Sequence, residues 1–246
     1  MQLLTKNYNF TQGNAIVGLI FSFAIIEVLA ELFSFKVILF AFRPLTALLI
    51  LCLYWLTSEE KSMLFFVSWF FLLLTSILIL SESLLFLMLG LAGIVIHRIL
   101  LILYIIKLNK VSDFVPILIA VIPFVFIFSY LLSISDEIPK ESYYPLIIQN
   151  ILVSILGAVV LSNYFMNETK NTPWLSIFGV LSIALYFTVF IEKCFLSNLP
   201  PTYFRPLGMV LYVTSYYAFY KFVIDTERFN ADVNEDNKQT TKVYFK

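Results

Sequence analysis

Long apolar runs separated by short polar breaks fill almost the whole chain. A helix needs about 20 mostly apolar residues to cross a hydrocarbon core, and cutting at the polar breaks leaves eight such runs. They are Ala15 to Phe33, Val37 to Leu56, Met63 to Leu80, Leu84 to Ile106, Phe114 to Leu132, Tyr144 to Phe165, Trp174 to Ile191 and Phe204 to Ile224. Each run is continuous rather than alternating with period two, which predicts helices and argues against the strands of a β-barrel. The breaks, such as Glu59-Glu60-Lys61 and Ser81-Glu82-Ser83, are too short for a second domain. The pattern predicts an all-α, polytopic membrane bundle of about eight transmembrane helices. It forms one domain over residues 1–225, followed by a polar, mobile tail over 226–246. No small-residue cleavage pattern follows the run from Ala15, so that run reads as a retained span.

Composition agrees. Hydrophobic residues make up 61% of the 246 and charged residues only 13%, against roughly 45–50% and about 25% in a soluble domain. The formal net charge is zero, and nothing in it argues for nucleic acid. Cys52 and Cys194 are too few for a disulfide framework. Lysines and arginines divide unevenly between the two sets of breaks. Lys6, Lys61, Lys107, Lys110 and Lys170 share a side with the basic tail, whereas the opposite breaks hold Lys36, Lys140 and Lys193. With an even span count this predicts both termini in the cytoplasm of a cell membrane, of the bacterial inner-membrane kind.

On that topology the outward halves of the spans collect the embedded polar groups. Glu27 and Glu31 lie one helical turn apart on one face of the first span. Arg43 stands in the second, Glu82 at the junction of the third and fourth, Gln149 and Asn150 in the sixth, Glu192 at the end of the seventh and Arg205 at the start of the eighth. The tetrapeptide Phe-Arg-Pro-Leu occurs twice, at 42–45 and 204–207. A charge near the bilayer centre costs roughly 2.5–3.5 kcal/mol on insertion scales, so such groups face the interior and pair. Arg43 and Arg205 can neutralise the acids and tie helices together, or offer their planar forks to a phosphate. Pro206 suits a first helical turn, while Pro44 falls inside its run and predicts a kink beside Arg43.

The fourth span carries the only histidine, His97, beside Arg98, with Gly90 and Gly93 upstream allowing close approach of another helix. Adjacent residues point about 100° apart on a helix, so these two cannot line one narrow site. His97 is either a satisfied core histidine or a group that positions water. No second His or Cys stands at ligand spacing, so neither a metal nor another cofactor is expected. The chain lacks the Gly-x-Ser-x-Gly elbow, the His-Glu-x-x-His helix and the phosphate-binding glycine loop.

Four features together resemble the YhhN family of eight-span membrane proteins, whose studied members are lysoplasmalogenases. They are Arg43-Pro44-Leu45 where the family commonly has Lys-Pro-Leu, the acid in Ser81-Glu82-Ser83-Leu84-Leu85 where it has Gly-Asp, the glycine-rich stretch ending in His97, and Tyr216-Tyr217. The tyrosine usual three positions after the histidine is Leu100 here, and the aspartate of the seventh span falls on Phe187. The resemblance implies cleavage of the vinyl ether of a lysophospholipid. A carboxylic acid protonates the β-carbon, water attacks the oxocarbenium ion, and the hemiacetal collapses to a fatty aldehyde and a glycerophosphoamine. It further implies Glu82 as the acid and Glu192 or Glu31 as its partner, in the way two carboxylates divide labour in glycosidases. Arg43 and Arg205 would hold the phosphate, His97 would place water, and Asn150 and Tyr216 would complete the lipid site. Two other readings stay open. One is a degenerate member that binds lipid or stabilises a membrane complex, and the other is a small ion-coupled transporter.

Overall fold

The computed structural model describes residues 2–33, 35–79, 83–109, 114–135, 140–166, 173–196 and 204–244; side chains are described between 13 and 233, except 36 and 140–142. All the regular structure among them is helical, in the order α1 (Gln2–Leu32), α2 (Lys36–Thr57), α3 (Met63–Leu78), α4 (Leu84–Asn109), α5 (Val115–Ser133), α6 (Lys140–Met166), α7 (Pro173–Phe195) and α8 (Phe204–Tyr244). Seven are long and apolar enough to cross a membrane. The exception, α3, has 16 residues and rises about 24 Å. Large apolar side chains cover the outside, among them Phe126 at 72% and Val180 at 67% exposure. That belt would be an aggregation surface in water and is the expected face toward lipid. The protein is a multi-pass helical membrane protein.

Consecutive helices pair as α1 with α2, α3 with α4, α5 with α6 and α7 with α8; in addition α8 packs on α1, α2 and α4, and α6 on α4 and α7. α8 therefore runs through the middle as the common wall, while α5 lies outside against α6. The main core is aromatic. Tyr54, Phe65 and Trp69 stack at centroid distances of 3.7 and 4.2 Å, and Phe219 of α8 stacks on Trp69 at 5.7 Å. A smaller core of Phe128, Val153, Tyr186 and Phe190 joins α5, α6 and α7.

The glycine expectation holds between α3 and α4. A Cβ on Gly93 would lie 2.4 Å from Thr75 Oγ1, and one on Gly90 2.8 Å from Ile79 Cγ1. Pro206 occupies the first turn of α8 and Pro44 lies inside α2. One boundary moves. The sequence pattern separates a polar tail after residue 225, but α8 continues as helix to Tyr244, and Glu227 is only 4% exposed. Hydropathy averaged along the chain misses this because Glu227 is made compatible with burial by hydroxyl donors from α2 and α4.

Candidate functional site

Three polar levels are threaded on one side of α8. Arg205, Met209, Tyr212 and Tyr216 are spaced four, three and four residues apart, which keeps them on one helical face.

At the first level, α1 and α7 end where α8 begins. Arg205 Nε donates to Glu192 Oε1 at 2.7 Å and Nη1 lies 3.5 Å from Glu31 Oε1. Lys193 Nζ approaches the same Glu192 oxygen at 3.9 Å. The expectation that these acids meet this arginine is met by the contacts.

One turn deeper the pairing is incomplete. Glu27 is fully buried; Thr46 Oγ1 donates to its Oε1, and its Oε2 has no hydrogen-bond partner. Arg43, half-buried on α2, is within electrostatic reach of Glu27. Its Nη2 donates to Met209 Sδ at 2.9 Å, and a thioether sulfur is a weak acceptor. The buried hydroxyl of Tyr212 also lacks a partner. A carboxyl oxygen, a guanidinium and a phenol thus converge between α1, α2 and α8 with their strongest hydrogen-bonding capacity unused. A buried polar group left so costs about 1–3 kcal/mol.

About 16 Å below Arg205 along α8, at the rise of an α-helix, His97 and Tyr216 meet. His97 Nδ1 lies 2.8 Å from the Ser68 carbonyl oxygen and 2.9 Å from Ser68 Oγ, and Nε2 lies 3.1 Å from Tyr216 Oη. A carbonyl only accepts, so in the neutral ring Nδ1–H donates to Ser68 and Nε2 accepts from Tyr216. The histidine is satisfied on both sides. Arg98 turns elsewhere, as the helical step requires, and its Cζ lies 5.5 Å from the centroid of the Tyr186 ring.

Asn150 belongs to a different place. Its Oδ1 accepts from the Tyr186 hydroxyl and its Nδ2 donates weakly to the Phe128 carbonyl at 3.4 Å, between α5, α6 and α7. Glu82 lies outside the described residues. Phe187, where the resemblance expects an aspartate, is 37% exposed among the outward apolar side chains. The described residues hold no group of three or more His, Cys, Asp or Glu able to take a metal ion.

A fourth level, toward the other end of the bundle, was not legible as a site. Glu227 accepts from Tyr54 Oη at 2.8 Å, Tyr104 Oη at 2.7 Å and Ser58 Oγ at 2.7 Å. The backbone N–H groups of Ser62 and Lys61 donate to Tyr54 Oη and Ser58 Oγ in turn, and Lys61 takes the left-handed φ of 46°. A clue did exist. Tyr216, Tyr220 and Glu227 keep to helical spacing past the apolar run, and Tyr220 Oη bonds Thr57 Oγ1 at 2.9 Å.

No family model, no curated protein and no solved structure matches the chain.

Proposed function

We propose that the protein is a membrane-embedded lipid hydrolase of the lysoplasmalogenase type, working at the level of Glu27 and Arg43. One observation carries the reading. Among the described residues, Glu27 is a buried carboxyl with one oxygen held by Thr46 and the other without a partner, beside an arginine whose hydrogen bond goes to sulfur. Glu27 is then the acid that protonates the β-carbon of the vinyl ether. Arg43 holds the phosphate with its planar fork. Glu31 and Glu192, paired with Arg205, steady the oxocarbenium ion from one turn above. Water adds to that ion, and the hemiacetal releases aldehyde and the free glycerol hydroxyl. Glu82 is the alternative acid. In this reading α3 makes the eighth crossing, both termini lie in the cytoplasm, and the site opens toward the outer leaflet of a bacterial cell membrane.

The test is fatty-aldehyde release from lysoplasmalogen by the purified protein in detergent, with the saturated ether analogue as control. Aldehyde from the alkenyl lipid alone is expected. The exchange Glu27→Gln should lower turnover by about 100-fold or more, the usual weight of a general acid. No aldehyde from a folded preparation sinks the activity, and full activity of Glu27→Gln with none in Glu82→Gln moves the acid to Glu82.

A specific observation favours a second reading, a lipid-binding or structural protein without turnover. The Arg205 cluster is already closed by Glu192 and Glu31, as a helix-joining contact would be. Lysolipid binding without product formation would establish it.

A further inference from the structure

Arg98 is a positive charge in the middle of α4 that forms no ion pair among the described residues. It is 14 residues past Leu84 and 11 before Asn109 on α4, hence about 16–21 Å from either end of that helix. Its Nη1 is buried without a hydrogen-bond partner. What it does meet is the face of Tyr186, with Cζ 5.5 Å from the ring centroid. A cation–π contact contributes about 0.5–2 kcal/mol, whereas an unpaired charge at this depth costs at least roughly 2.5–3.5 kcal/mol.

Among the described side chains, no acid of the packed helices pairs with Arg98. α3, α4 and α5 contain none. The acid of α6 is Glu141, nine residues before Asn150; that of α7 is Glu192, six residues beyond Tyr186 and bound to Arg205. The first acid of α8 is Asp225, nine residues past Tyr216, or about 13 Å along the axis. A second buried group, on α6, is also unsatisfied. Tyr186 bonds Asn150, and the neighbouring Gln149, 6% exposed, leaves both amide oxygen and amide nitrogen without partners.

The geometry points to Arg98 as the centre of an anion-binding site between α4, α6, α7 and α8, taking the carboxylate or phosphate of a ligand from outside the chain. The guanidinium supplies paired N–H donors of the right planar geometry for either oxyanion, and the unpartnered Gln149 amide, next in sequence to the residue that bonds Tyr186, is a further donor. Tyr186 walls the guanidinium on one side and leaves its edge for the ligand. This site is separate from the Glu27 and Arg43 level and does not depend on the hydrolase reading.

The full chain in neutral detergent would be titrated with laurate, dodecyl phosphate, dodecanol, acetate and inorganic phosphate, with binding read as the shift in thermal unfolding and by equilibrium dialysis. An anionic amphiphile is expected to bind about tenfold or more tightly than dodecanol, the worth of one charge-assisted hydrogen bond. In an Arg43→Gln background, which removes the phosphate holder of the proposed hydrolase site, Arg98→Met should erase that preference and Arg98→Lys should weaken it, while the exposed Lys107→Gln leaves it unchanged. Binding of acetate or phosphate by themselves marks a soluble ligand; binding only of the acyl forms marks a lipid. Equal affinity for dodecanol and the anions overturns the site, as does a preference that survives Arg98→Met. If Arg98→Met does not fold, wild-type affinity in Arg98→Lys overturns it instead.

Discussion

Two stretches of the bundle along α8, around Tyr212 and around Glu227, meet the same difficulty, an acid inside a membrane bundle, in opposite ways. At the Glu227 stretch three hydroxyl groups donate to one carboxylate and two backbone amides lock those hydroxyls in turn. At the Glu27 stretch one threonine donates, one oxygen has no partner among the described residues, and the nearest cation is bonded to sulfur. The closed arrangement ties the α2–α3 connection to α4 and α8. The open one adds little to stability and keeps its hydrogen-bonding capacity for something else. Buried polar groups that are fully satisfied stabilise and specify a fold, and those left incomplete are where chemistry or binding is to be sought.

That contrast can be broken by mutation. Removing the acceptor at the closed stretch should have the largest effect. Glu227→Leu strands the hydroxyls of Tyr54, Tyr104 and Ser58, and should cost about 3–5 kcal/mol, a range typical of breaking a buried charged network; thermal unfolding in detergent measures it. A loss below about 1 kcal/mol would mean that the network is dispensable. Gly93→Ala, which pushes a methyl against Thr75, should cost about 1–3 kcal/mol as an overpacked helix contact, and the same melting curve reads it. Arg205→Ala should cost less, about 1 kcal/mol, because the arginine is partly exposed and solvent screens its ion pairs. Its effect should shrink further in high salt, which a melt at two ionic strengths would detect. Glu27→Gln sits at the bottom of the series, within about 0.5 kcal/mol of wild type, since Thr46 can still donate to the amide oxygen. If it destabilises as much as Glu227→Leu, the Glu27 stretch is structural and the comparison fails.

Much of this architecture is legible from local pattern. The runs from Val37, Met63, Leu84 and Trp174 become helices with ends shifted by only a few residues, because an apolar segment in lipid has to satisfy its backbone hydrogen bonds within itself. The pairing of Arg205 with Glu192 and Glu31 follows from the expectation that embedded charges meet, although which acid meets which arginine does not. Arg43 illustrates the limit. It repeats the setting of Arg205 in sequence, yet one arginine closes an ion cluster and the other rests against Met209. Glu227 illustrates it from the other direction, since a hydropathy average assigns it to a soluble tail while three donors on other segments draw it inside.

The sequence by itself determined that the chain is a multi-pass helical bundle, where most of its helices begin and end to within a few residues, the start of α1 and the end of α8 excepted, and that a handful of charges had to be buried. Tertiary structure decided which of those charges are quenched. Arg205 and Glu31 are 174 positions apart, Tyr54 and Glu227 173, and His97 and Tyr216 119. Helix formation is a property of neighbours a few residues away. A hydrogen bond across a bundle depends on the depth and rotation of two helices at once, and those are fixed only when the helices pack.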